Sequence, residues 1–251
     1  MTTPNATIDA NPAWYHTIDL PGGGDPTPGH VDWRGHSARL LDRDLHGLHA
    51  LDVGTYDGFW AFELERRGAE VVAIDLDRLD AAAWPPVHRA RLTADADAFG
   101  LELGRGFRIA HRRLGSRVQR VVCDVLALTP DAVGGRRFDL AFLGALLLHL
   151  RDPIRALENI RSVLVPGGRL IMLEAISLTE TVRAPRTPLA RFDTAANAFN
   201  WWLPNVAALH DYLWAAGFVE IERISRPLRP PAVPSMRCWY CAFSARAPAR
   251  P

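Results

Sequence analysis

The run Ala50-Leu51-Asp52-Val53-Gly54-Thr55-Tyr56-Asp57-Gly58-Phe59-Trp60 joins an apolar strand to a glycine-bearing turn that opens a helix. A helix's length later, Ile74-Asp75 ends a second strand on an acid. In an open α/β sheet this order suits a nucleoside-bearing ligand, because glycines admit it to the backbone and the acid takes two ribose hydroxyls. A dinucleotide turn needs further glycines where this chain has Tyr56 and Phe59. The turn is therefore read as holding an adenosyl group without phosphates.

Three other side chains suit proton transfer. His149 follows the apolar run Leu140 to Leu150, and an imidazole is a base at neutral pH. Glu174 closes the strand-like Met172-Leu173-Glu174 and serves as a base or as an anchor for a polar acceptor. His16, in Trp14-Tyr15-His16, is a base on a loop that closes over the site. Each has a plainer alternative: a helix-start histidine bonded to backbone, a salt bridge to arginine, and loop packing. Trp14, Trp33, Phe199, Trp201 and Trp202 are candidates to line an aromatic acceptor pocket, although at least half of such rings serve packing. Their faces would also attract a cation. Arg105, Arg108, Arg112, Arg113, Arg117 and Arg120 make a basic stretch. It is read as a solvated helix face, with an RNA backbone or an anionic acceptor as the functional alternatives.

The elements that position these groups alternate strand and helix from Leu45 to Ser244, as in a sheet covered on both faces. Strands are expected at Ala50–Val53, Val71–Asp75, Arg120–Asp124, Leu140–Leu143, Leu170–Glu174, Phe218–Ile224 and Arg237–Phe243. Helices are expected at Phe59–Arg67, Pro153–Leu164 and Asn205–Ala216, the second stopped by Pro166-Gly167-Gly168. Three segments fall outside this pattern: Trp14 to Arg34, Leu79 to Arg117 with one arginine-bearing helix, and Ser177 to Leu203. The division expected is 1–44 as an N-terminal lid and substrate segment, 45–245 as the cofactor-binding domain and 246–251 as a flexible tail.

Composition narrows the class. A net charge of +1 gathers neither nucleic acid nor an anionic membrane, and the chain contains no lysine. Met1 to Pro12 lacks the apolar core of a signal peptide, and Leu140 to Leu150 is too short to cross a bilayer, so a cytoplasmic protein is expected. Cys238 and Cys241 sit three apart in an expected strand, which sends them to opposite faces, so no metal site is assigned.

Trp14-Tyr15-His16, Thr27-Pro28-Gly29, Asp32-Trp33-Arg34, the turn Asp52 to Trp60 and Phe138-Asp139 together resemble the class I S-adenosylmethionine (SAM)-dependent methyltransferases. Within them the chain is most similar to the family of the tRNA wobble-uridine (mo5U34) carboxymethyltransferase and its smaller relatives. The resemblance implies an α/β, Rossmann-like domain with a seven-stranded, mostly parallel sheet, an antiparallel last strand and helices on both faces. It implies that Asp52, Gly54, Thr55 and Gly58 lie beside the methionine part of SAM, and that Asp75 and Leu76 lie at the ribose. Cys123, Asp124 and Val125 would hold adenine, Leu143 and Gly144 would face the amino-acid end, and His149 would face the sulfonium.

That family's carboxymethylating enzyme uses carboxy-SAM, whose extra carboxylate is held by a lysine, a tyrosine and an arginine. Here no lysine exists, the tyrosine position is Leu148, and Arg237 is the remaining candidate for the arginine. The expectation is a SAM-dependent methyltransferase acting on a small aromatic or apolar acceptor in specialised metabolism, with Trp14, Trp33, Arg34, Trp201, Trp202 and Arg237 toward the substrate. Nucleic acid and membrane are not expected as partners, and a homo-oligomer is left open. The alternatives are a tRNA wobble-uridine methyl- or carboxymethyltransferase and a non-catalytic SAM-binding subunit.

Overall fold

The computed structural model describes residues 8–249 except Gly23 and Ala196. Residues 1–7 of the expected N-terminal segment and residues 250–251 of the expected tail lie outside it. Seven strands form the main sheet: β1 (His49–Val53), β2 (Glu70–Asp75), β3 (Gln119–Val122), β4 (Phe138–Gly144), β5 (Leu164–Ile176), β8 (Val219–Arg223) and β9 (Trp239–Arg246). A separate hairpin pairs β6 (Ala190–Phe192) with β7 (Trp202–Pro204). The main order is β3-β2-β1-β4-β5-β9-β8, parallel from β3 to β5, with β9 antiparallel to both its neighbours. The order reverses between β1 and β4, and a ligand cleft opens beyond the strand ends at such a point.

Both faces of the sheet carry apolar layers. One packs α1 (Arg34–Leu40), α2 (Phe59–Arg66) and α4 (Arg105–Leu114) through Leu40, Trp60, Leu64, Phe107 and Ile109. The other packs α5 (Pro153–Ser162) and α7 (Val206–Ala215) through Leu157, Ile160, Leu209 and Leu213. Strand alternation produces this division: Tyr240 and Ala242 join the first layer, Cys241 and Phe243 the second. Cys238 packs on the first layer, so the two cysteines do serve opposite faces. Side-chain caps start the second-layer helices. Asp152 accepts from the Arg155 amide at 3.0 Å ahead of Pro153, and Asn205 accepts from the Ala208 amide at 2.9 Å.

The expected elements need four corrections. Leu79 to Arg117 holds two helices, not one, because α3 (Pro86–Ala98) precedes α4. β5 starts at Leu164, where Leu164 pairs with Phe138 ahead of a register shift, so Pro166-Gly167-Gly168 lies inside the strand as an irregularity. β9 begins at Trp239 and not at Arg237, which caps a short 3-10 turn over Pro234–Met236. At its other end β9 runs to Arg246 and Ala247 is buried, so ordered structure passes residue 245. Residues 14–33 share the main core: Trp14, Ile18, Val31 and Trp33 are all buried in the first layer. Among the described residues no helix is long and apolar enough to cross a membrane.

Candidate active site

The turn after β1 is built by unusual backbone. Gly54 and Gly58 have φ of +74° and +93°, and Tyr56 between them has φ of +48° although it carries a side chain. A Cβ on Gly58 would lie 2.4 Å from Phe62 Cε2, so the glycine also admits the α2 ring beneath the turn. The turn is tied sideways, since the Gly54 and Thr55 amides both donate to the Ile74 carbonyl at 2.9 and 3.1 Å. Ala145, just past β4 on the opposite wall, has φ of +52°. Non-glycine residues in this region cost of order 1 kcal/mol each and concentrate at functional sites.

Buried acids surround the turn. Asp75 at the end of β2 accepts from the Tyr56 amide at 2.6 Å and from the Leu76 amide at 2.7 Å. Burial pushes its carboxyl above the usual range, with these two amides pulling the other way. Arg120 on β3 donates to the Leu76 carbonyl at 2.7 Å, and burial lowers its pKa. Asp52 is 2% exposed, and burial pushes it up to about 7 against the pull of Thr55 and His16. Asp52 Oδ2 and the Thr55 hydroxyl are both buried and lack a hydrogen-bond partner of good geometry among the described residues. Unpaired buried polar atoms are costly, and at this turn they match a ligand that brings its own donors and positive charge. The residues present thus fit the methionine end of SAM.

The other cofactor candidates lie where the strand ends bring them. Cys123 follows β3 and its amide donates to the Asp75 carbonyl at 2.9 Å. Asp124 spends one oxygen on the Leu126 amide at 2.9 Å and caps the short turn that starts at Val125. Leu143 is buried, while Gly144 is half-buried beside Trp60.

The proton-transfer candidates differ in setting. Glu174 is 1% exposed and pairs with no arginine among the described residues. Its Oε1 accepts from the Leu146 and Leu147 amides at 2.8 and 2.9 Å, so it holds the loop after β4. Burial pushes it up to about 7. His149 uses Nδ1 on the Phe199 carbonyl at 3.0 Å, which realises the backbone-bonded alternative, and burial lowers its pKa. A ring that donates from Nδ1 to a carbonyl keeps its lone pair on Nε2. His16 lies across the turn from β1, against Asp57.

The substrate candidates are not brought together. Trp14 and Trp33 are 2% and 1% exposed, Trp33 between Trp60 and Tyr240, so both are core rings and not walls of an open pocket. Arg34 pairs with Asp32 and Asp19 at the surface, and Arg237 is exposed. Trp201 and Trp202 stay half-buried and bond the Ala83 and Arg151 carbonyls through their indoles. The Trp201 amide donates to the Leu148 carbonyl at 2.8 Å, so the segment after β6 lies on the loop after β4. Trp84 adds a ring there, edge-on to Phe199 at 6.0 Å. Two residues that sequence reasoning passed over stand with His16: Asp57, which pairs with its ring, and Tyr15, which packs edge-on against that ring at 4.7 Å. Asp57 and Tyr15 stand inside the two motifs already singled out, which is the signal that marks them.

The methyltransferase-domain family matches residues 31–222. The chain is similar to the tRNA U34 carboxymethyltransferase of Psychrobacter sp. (strain PRwf-1), 27% identical over 197 residues that cover 78% of this chain and 53% of that one. For the enzyme of the same description from Azotobacter vinelandii (strain DJ / ATCC BAA-1303), identity is 30% over 180 residues, covering 71% and 48%. The chain thus spans about half the length of the curated relatives it matches. Its fold is similar to Burkholderia thailandensis 1,6-didemethyltoxoflavin-N1-methyltransferase, solved with 1,6-didemethyltoxoflavin and S-adenosylhomocysteine. That likeness has a TM-score of 0.53 at 24% identity and covers 86% of this chain and 77% of that one.

Proposed function

The chain belongs to the methyltransferase-domain family, whose cofactor is SAM, and from that premise we propose that it methylates a small aromatic or apolar acceptor in specialised metabolism. Bound SAM supplies an activated methyl group on a positively charged sulfur. The protein's share is to align the acceptor, exclude water and receive a proton from an O–H, N–H or C–H group. Gly54, Thr55 and Gly58 would hold the methionine part with Asp52, Asp75 and Leu76 would take the ribose, and Cys123, Asp124 and Val125 the adenine. Leu143 and Gly144 offer backbone at the amino-acid end. His149, Glu174 and His16 are the groups proposed to hold or move the proton.

The single observation that carries the acceptor class is the aromatic segment laid on the loop after β4. Phe199, Trp201 and Trp202 meet that loop or its neighbour, with Trp84 alongside, and the carbonyls of Ala83, Leu148 and Arg151 hold them there. Trp201 and Trp202 form the acceptor wall in this reading, while Arg34, paired with Asp19 and Asp32, and the exposed Arg237 lie apart from it. A carboxylated donor is disfavoured because Leu148, where the related enzymes' clamp has tyrosine, is a buried apolar side chain.

A second reading, transfer to a tRNA wobble uridine, is favoured by the curated relatives and by the arginines of α4. Arg105 and Arg108 spend charge on Glu102, whereas Arg112 meets only a carbonyl. The test is S-adenosylhomocysteine release with SAM against a panel of phenols, heteroaromatics and unmodified tRNA. Release with a small aromatic is expected. Release with tRNA alone overturns the reading, and binding of SAM without release on any acceptor, together with a stable heteromeric complex, would leave a non-catalytic SAM-binding subunit.

A further inference from the structure

Asp57 is 1% exposed and accepts hydrogen bonds from three groups on one distant stretch of chain. Its Oδ2 takes the amides of Tyr15 and His16 at 2.9 and 2.8 Å, and its Oδ1 meets His16 Nδ1. A carboxylate held by two amides is an acceptor, so the ring nitrogen opposite it carries the proton. In the neutral ring the lone pair then sits on Nε2.

The ring cannot turn away. It stacks on Phe59 at 5.3 Å and 23°, and Tyr15 closes on it edge-on at 4.7 Å and 85°. Its backbone is clamped too: the Thr27 hydroxyl donates to the His16 carbonyl at 2.7 Å. Gly29 passes so close that a Cβ there would lie 2.1 Å from the His16 carbonyl carbon. The motifs Trp14-Tyr15-His16 and Thr27-Pro28-Gly29 are thereby two halves of one mount for this imidazole. The His16 side chain is 7% accessible, and its Nε2 makes no hydrogen bond among the described residues. The charged groups facing the ring are Asp57 from the turn and Asp52 from β1, with the Tyr15 phenol, pushed up to about 12 by burial and so neutral, beside it.

We propose that Asp57 is a positioning residue that fixes His16 as the Nδ1–H tautomer, leaving Nε2 to take the acceptor's proton. The inference rests on the methyl-transfer reading above. The proton leaves the acceptor heteroatom for Nε2, the acceptor keeps the electron pair, and the imidazolium so formed stands against the Asp57 carboxylate.

The test is Asp57→Asn in 15N-histidine-labelled protein, read by long-range imidazole NMR correlations, SAM calorimetry and turnover. The Asn oxygen still serves the backbone amides, but its NH2 faces the ring and forces the proton to Nε2. The wild type is expected as Nδ1–H and the variant as Nε2–H, with SAM affinity within about threefold and kcat lower by about a hundredfold or more. Nε2–H in the wild type, or near-normal kcat in a variant whose tautomer has changed, overturns the proposal. If Asp57→Asn does not fold, His16→Ala with added imidazole decides: restored turnover supports a base, and none refutes it. The wild-type tautomer is read without any acceptor. A failed acceptor screen would therefore count against the methyl-transfer reading and leave the tautomer separately decided.

Discussion

The cleft has two rims built on different principles. At the β1 rim, carboxylates accept from backbone amides, and in one case an imidazole, far away in sequence: Asp57 from Tyr15 and His16, Asp75 from Tyr56, Glu174 from Leu146 and Leu147. At the acceptor rim, side chains bond almost wholly to carbonyls: His149 to Phe199, His88 to Thr194, Trp201 to Ala83 and Trp202 to Arg151. Backbone partners are the same whatever residue carries them, so main chain holds the path of both rims, while the outward rings of the second are free to vary. Phe192 and Phe199 there are 57% and 46% exposed. In the proposed reading the first rim holds SAM, and the second is a frame whose lining decides the acceptor.

The sharpest way to break the β1 rim is Gly58→Ala. The new methyl meets Phe62 at 2.4 Å and Phe107 at 2.8 Å on a backbone with φ of +93°. A stability loss of about 2–4 kcal/mol is expected in denaturant unfolding, with loss of SAM binding. Asp75→Ala removes one acid and leaves the turn folded. SAM affinity should drop about tenfold to a hundredfold by calorimetry, as for a charge-assisted hydrogen bond.

The raised acids sharpen the comparison through pH. Asp52 and Glu174 are both pushed up to about 7 by burial, so the folded chain holds protons that the unfolded chain has released. Stability should therefore fall as pH rises from about 4 to about 7, each acid contributing up to one released proton to the slope. Glu174→Gln should flatten that slope by one proton's share in unfolding curves taken across the window. The smallest effect belongs outside both rims: Arg237→Ala should leave SAM affinity within about twofold, since exposed charges contribute little. A large loss there would place a cofactor anion beside it and move the boundary of the first rim.

Much of the first rim was legible in sequence because strand ends, glycines and a spaced acid are local signals. The strands of the main sheet and α2, α5 and α7 fall within a few residues of expectation, except for the early start of β5. What escaped is long-range or weakly patterned. Asp57 reaches His16 across 41 residues, a pairing that no spacing announces. Helix α3 buries only Leu92 and Ala96, so it shows no apolar stripe. Sequence also could not separate tryptophans that pack, Trp14 and Trp33, from those left half-buried, Trp201 and Trp202. Ring type is the same in both, and only the fold decides which neighbours arrive.

The β1 rim is proposed to hold SAM and the second rim a separate acceptor. Calorimetric titration with SAM, carboxy-SAM and NAD tests it most directly. SAM binding, with carboxy-SAM at least about tenfold weaker and NAD absent, is the predicted result, since tenfold is the cost of about 1.4 kcal/mol of misplaced charge. Preference for carboxy-SAM, or binding of NAD in place of SAM, would contradict it.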